Sequence, residues 1–118
     1  MRRKKLQQPN RLPSRSKLPS RVDANHDDIV QVFLGSGCSV LDVSALPGAL
    51  DLIVGLVGTD IRVEVKKPGY RAADFTPLEL TTIRDWRGRQ PAVISTADEA
   101  IELITVIRRE ARARKKRG

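Results

Sequence analysis

Between Leu50 and Lys67 the side chains alternate in character, with one interruption at Gly58-Thr59. A period of two is the mark of a strand, because successive side chains point to opposite faces. A glycine at the interruption suits a tight hairpin turn. With the turn centred on Gly58-Thr59, Asp51 faces Lys66, Ile53 faces Glu64, Gly55 faces Arg62 and Val57 faces Asp60. The other face receives Leu50, Leu52, Val54 and Leu56 opposite Lys67, Val65, Val63 and Ile61, nearly all branched aliphatics. A slip of one residue would mix the two sets, so the apolar face pins the alternation. A two-stranded ribbon is not stable alone, so something apolar must cover that face.

Two other stretches offer the cover. Asp23 to Leu34 predicts a helix, with Asp23 as N-cap, Asp27 and Asp28 near the positive dipole end, and Ile29, Val32 and Phe33 on one stripe. Gly35 and Gly37 end it. A last helix, capped by Ser95 or Thr96, carries Ala100, Leu103, Ile104 and Ile107 and runs into a basic tail. Between them, Cys38 to Ser44 predicts a short strand and Pro91 to Ile94 another, central in the sheet. Thr76-Pro77 opens a middle helix with Glu79 three residues after the cap, and Leu80, Ile83 and Trp86 form its buried face up to Gly88. The expected order is helix, three strands, helix, strand, helix: an α/β domain with a mixed sheet flanked by helices.

The charge of +8 is unevenly placed, at +8 over residues 1–22, −6 over 23–107 and +6 over 108–118. Three regions follow. Residues 1–22 form a basic arm, rich in Pro and Ser and expected to be disordered. Residues 23–107 form the folded domain, and 108–118 a basic tail extending the last helix. Basic arms fit a polyanion, most often nucleic acid, although such runs also serve as solvated tails. An acidic body that binds phosphate calls for a metal ion between like charges. The single Cys38 excludes an internal disulfide and a cysteine-rich zinc site, and a reduced, cytoplasmic setting is the simplest fit. No apolar run is long enough to span a membrane, and no apolar region follows the basic start as a secretory signal would require.

The polar hairpin face holds the chemistry. Asp51 and Glu64 are diagonal neighbours there, on the order of 5–7 Å apart at Cβ, with Lys66 two residues further. Two carboxylates so spaced can share Mg²⁺ or Mn²⁺ with waters and a phosphate oxygen, and the carbonyl of Val65 is a further oxygen donor. Lys66 would orient or help deprotonate the attacking water and offset developing charge. The face also has an ordinary reading, since charged residues alternate with aliphatics on many solvent-facing strands.

Asp51, Glu64, Val65 and Lys66 resemble the motif of the PD-(D/E)XK nuclease superfamily. More closely, the chain is similar to its small stand-alone VRR-NUC-like and Holliday-junction-resolvase-like members, common in phages and bacteria. The likeness covers roughly residues 21–107. It includes Arg21, Asp23 and Asn25, Gly48 before Asp51, the Phe75-Thr76-Pro77 helix entry, and the run Ser95, Asp98-Glu99-Ala100. The resemblance implies a restriction-endonuclease-like αβββαβ core and Mg²⁺- or Mn²⁺-dependent hydrolysis of DNA phosphodiester bonds. It implies Asp51 and Glu64 as metal ligands and Lys66 as the catalytic lysine. Leu50 stands where many members carry Pro, and Glu79 where Gln is common. An acidic residue that relatives often supply from the first helix would have to be Asp27 or Asp28, or Asn25 by a weaker contact.

Lys67, Tyr70 and Arg71 follow the motif on a loop and are candidate phosphate contacts. His26, the only histidine, reads as an exposed residue near a helix start, with a phosphate contact as the alternative, and Trp86 as core, with base stacking as the alternative. With aromatics at 3%, no stacking platform of the single-strand-binding kind is expected. Gly35-Ser36-Gly37 lacks the lysine and helix of a phosphate-binding loop, so no small-molecule cofactor is expected. A domain this small offers little surface to define a branched substrate, which makes a symmetric homodimer part of the expectation. The competing reading is a non-catalytic DNA-binding adaptor with a degenerate nuclease fold; a weaker one is a structural module with a decorated surface.

Overall fold

A computed structural model describes residues 21–117, with side chains from Asn25 onward. The elements are α1 (Arg21–Gly35), β1 (Ser39–Asp42), β2 (Leu52–Leu56), β3 (Thr59–Val65), a 3₁₀ turn (Ala72–Asp74), α2 (Pro77–Asp85), β4 (Ala92–Ile94) and α3 (Ala97–Arg117). The strands lie in the order β1-β2-β3-β4, antiparallel except for the parallel β3–β4 pair. The chain is thus α/β with a four-stranded mixed sheet flanked by helices. The expected arm over 1–22 lies outside the described residues except for Arg21 and Val22, which open α1; Asp23 is therefore inside the helix and does not cap it.

The hairpin differs from expectation in one respect. Leu52 pairs with Val63 and Leu56 with Thr59, so the two turn residues are Val57 and Gly58. Both have positive φ, 46° and 79°, as a type I′ turn requires. The register is therefore displaced by two residues, and an even displacement leaves every side chain on its face. Leu50, Leu52, Val54, Leu56, Ile61, Val63 and Val65 are all buried, as the alternation demands. What changes is the pairing across the polar face: Ile53 faces Arg62 and Gly55 faces Asp60, so the register leads Asp51 toward Glu64 instead of Lys66.

All of those buried aliphatics but Leu50 form one core with Ile29 and Phe33 of α1 and Ala100, Ile104 and Ile107 of α3. The two helices pack on one another and against β1 and β2. Each buried large aliphatic or Phe contributes about 1.5–3 kcal/mol, so this face is the main source of stability. Cys38 is buried in the same core, where burial pushes its thiol above the usual range.

α2 sits differently. None of its residues is buried, and Leu80 and Trp86 are exposed, so the expected Leu80-Ile83-Trp86 core stripe is not one. The helix is held by polar contacts instead: Thr82 Oγ1 donates to the Gly48 carbonyl at 2.7 Å. Gly48 has φ +76°, and a Cβ there would lie 2.7 Å from Leu78 Cγ. Only glycine permits both the backbone and the approach. β4, expected at the centre, is an edge strand of the described sheet. α3 begins with Thr96 Oγ1 accepting from the Glu99 N–H and Glu99 accepting from the Ser95 N–H, and continues as helix through the basic tail. Arg108 donates to the Ser36 carbonyl and Arg89 pairs with Glu110, both at 2.7 Å.

Candidate active site

The strand ladder between β2 and β3 gives out at Asp51, and the candidate site begins there. The Leu50 backbone has φ 71°, an uncommon conformation for a branched residue. Beyond it the Asp51 N–H donates to the Val63 carbonyl at 3.1 Å. The Asp51 carboxylate then takes the place of a strand carbonyl, with Oδ2 accepting the Val65 N–H at 2.8 Å. A side chain closing a ladder in this way is fixed by the sheet and not by its own rotamer preference.

Glu64, one residue before Val65, is 2% exposed. Its Oε2 lies 3.1 Å from Lys66 Nζ, while its Oε1 is buried with no hydrogen-bond partner in the protein. Burial, and then the charge of Asp51, push the Glu64 carboxyl up to about 8 in spite of Lys66. Burial also raises Asp51, against the Val65 hydrogen bond and the nearby charge of His26. Lys66 lowers both carboxyls but less than burial raises them, and it is shared. Its Nζ donates to the Asp74 carbonyl at 2.7 Å and to Glu79 Oε1 at 3.2 Å, and lies 4.7 Å from the centre of the Phe75 ring. Burial works to lower the Lys66 pKa, but Glu64 and Glu79 prevail and hold it above the usual lysine range.

Glu79 links the site to α2. Its Oε1 accepts both from Lys66 and from the Thr76 N–H at 3.0 Å, closing the capping box expected at this helix. The arrangement is set locally, because in Thr-Pro-x-Glu the glutamate folds back over the start of its own helix.

Asp51, Glu64, Val65 and Lys66 are thus brought together. Asn25 reaches them through the backbone, with Nδ2 donating to the Lys66 carbonyl at 3.3 Å. Asp27 and Asp28 are exposed on α1, and neither is among the charges that shift the pair. Lys67 and Arg71 are exposed. Tyr70 packs edge-on against Phe75, ring centres 5.6 Å apart, so the loop bearing the candidate phosphate contacts also supports the lysine. His26, expected to be exposed, is 8% exposed and close enough to act on Asp51. The helix starts earlier than expected, which carries His26 a turn inward; its spacing of three from Ile29 was the available signal. Glu79's contact with Lys66 follows from no periodicity.

No three His, Cys, Asp or Glu side chains are grouped so as to hold a metal ion by themselves among the described residues, and none of the described helices is long and apolar enough to cross a membrane. Compared with protein-family models, curated proteins and solved structures, the chain gives no significant match.

Proposed function

We propose that this chain is a Mg²⁺- or Mn²⁺-dependent endonuclease of the PD-(D/E)XK kind that hydrolyses DNA phosphodiester bonds, with branched or structured DNA as its substrate. The observation that carries the reading is the meeting of Asp51, Glu64 and Lys66 at one end of the sheet, with Glu64 Oε1 buried and unpartnered. A buried carboxylate pair is costly when ionised, and a divalent cation relieves that cost. Two carboxylates are a usual protein share of a Mg²⁺ shell, the rest being water and phosphate. Asp51, Glu64 and the Val65 carbonyl would hold the ion. When bound, it polarises the scissile phosphate and acidifies a water.

The chain's own residues do the rest. Lys66, kept cationic by Glu64 and Glu79, orients the attacking water and offsets charge developing on the phosphate. Glu79 and the Asp74 carbonyl hold the ammonium in place. Lys67, Tyr70 and Arg71 contact flanking phosphates. The basic tail supplies sequence-independent attraction. A cytoplasmic homodimer completes the reading.

The test is a panel of linear, flapped, single-stranded and four-way DNA incubated with Mg²⁺ or Mn²⁺. Wild-type protein should nick or cut at least one of them, and Asp51→Asn and Lys66→Ala should not. Either variant cutting as fast as wild type would overturn the assignment. The second reading, a non-catalytic DNA-binding adaptor, is favoured by the lack of a third converging ligand among the described residues. Calorimetry separates the two: the adaptor shows no Mn²⁺ site.

A further inference from the structure

Trp86 caps the end of α2 and is 42% exposed. The guanidinium carbon of Arg62 lies 4.3 Å from the centre of its ring. Arg62 is itself tethered, its Nη1 donating to the Ala49 carbonyl at 3.0 Å. A Cβ on Gly88 would come within 2.8 Å of the indole Nε1, so the chain leaving the helix closes on the edge of the ring. The indole is therefore held by a stacked cation and by backbone, yet much of it faces water. Arg87, next in sequence, is exposed and adds positive charge.

Position gives this arrangement its meaning. Arg62 and Glu64 are two residues apart on β3, so they share the polar face at a separation of about 7 Å. That is about two base-stacking rises along a strand. A held, half-exposed indole backed by a planar cation is what a nucleobase stacks on, because every base has a π face.

We infer that Trp86, backed by Arg62, is a stacking platform for an unpaired nucleobase beside the carboxylate pair, gripping the single-stranded segment of a branched DNA next to the strand to be cut. The choice of DNA as ligand rests on the nuclease reading; the stack itself needs neither metal nor cleavage.

Trp86 is the only tryptophan, so the emission of the full chain reports on this ring alone. The experiment titrates it in EDTA with oligothymidylate, with an abasic strand of equal length, and with blunt duplex. Oligothymidylate should quench the emission strongly, whereas the abasic strand and duplex should bind with little quenching. Trp86→Ala should weaken oligothymidylate binding, measured by anisotropy of a labelled strand, by roughly 5- to 150-fold. Trp86→Phe should retain most of it, and duplex binding should be nearly unchanged in both. Equal quenching by the abasic strand, or DNA binding with no quenching, overturns the platform while leaving the nuclease reading intact. Emission that shifts with protein concentration alone overturns it in favour of an interface between copies of the chain. Quenching without any metal-dependent cleavage retires the nuclease reading and keeps the platform.

Discussion

Replacing Glu64 by Gln should remove a pH dependence of stability that the wild-type fold carries. Glu64 has its carboxyl raised from 4.5 to about 8, by burial first and by Asp51 second. Over that window the folded protein holds a proton that the unfolded chain has released. The stabilisation is complete below about pH 4.5 and is lost as the pH rises towards 8. At 1.36 kcal/mol per pKa unit the ceiling is about 5 kcal/mol. The proton belongs to the Asp51–Glu64 pair, and water entry and relaxation reduce its worth. A value near half the ceiling, roughly 2 kcal/mol, corresponds to a fall in Tm on the order of 10 °C between about pH 5 and pH 8. The amide of Glu64→Gln stands in for the protonated carboxyl at every pH, so its profile should be flat by comparison. Urea denaturation followed by circular dichroism, in EDTA, measures both. Millimolar Mn²⁺ in place of EDTA should restore wild-type stability at pH 8 and do little at pH 5. If wild type and Glu64→Gln show the same slope from pH 5 to 8, burial of the pair is not what governs this site.

Other changes test other links. Val57→Asn should stabilise the protein by about 1 kcal/mol, because a β-branched residue at φ 46° gives way to one that tolerates the left-handed region; a lower Tm would contradict the turn geometry. Gly48→Ala should cost about 1–3 kcal/mol in urea unfolding through positive φ and the clash with Leu78, and adding Leu78→Ala should recover only the share due to the clash. Glu79→Gln should slow cleavage by more than it weakens DNA binding, and should leave more activity than Lys66→Ala, which removes the ammonium itself. Truncation after Arg109 should flatten the salt dependence of DNA binding by about 0.9 for each phosphate that the tail no longer neutralises.

The sequence disclosed the sheet's two faces because alternation survives an even slip. Leu52, Val54, Ile61 and Val63 stay inside whether the turn is Gly58-Thr59 or Val57-Gly58. The exact turn was hidden because Val57 occupies a conformation that its own sterics resist, and the paired strands impose it. The stripes of α1 and α3 were legible, since burial drives both. The role of α2 was not, because it meets the sheet through Thr82, Glu79 and Arg62–Trp86, polar contacts that leave no periodic trace. For the same reason Trp86 read as core. The Pro91–Ile94 run signals covered faces and says nothing about neighbours within the sheet, so β4 was misplaced to the centre. At the site, the closeness of Asp51, Glu64 and Lys66 was legible from the alternation, but the burial of the two carboxylates was not, and burial is the first cause of their raised pKa values.

The closure of the ladder by Asp51 also makes its two carboxylate oxygens unequal. Oδ2 accepts the Val65 N–H, so Oδ1 is the oxygen with more lone-pair capacity left to offer. Oε2 of Glu64 faces Lys66, and Oε1 is its unpartnered oxygen. Under the proposed reading, an ion held mainly by Oδ1 and Oε1 would keep most of its shell as water and phosphate, as Mg²⁺ does, whereas Ca²⁺ takes 6–8 oxygens and often binds carboxylates bidentately. The hydrogen bond that ends a strand would then also bias the choice of ion.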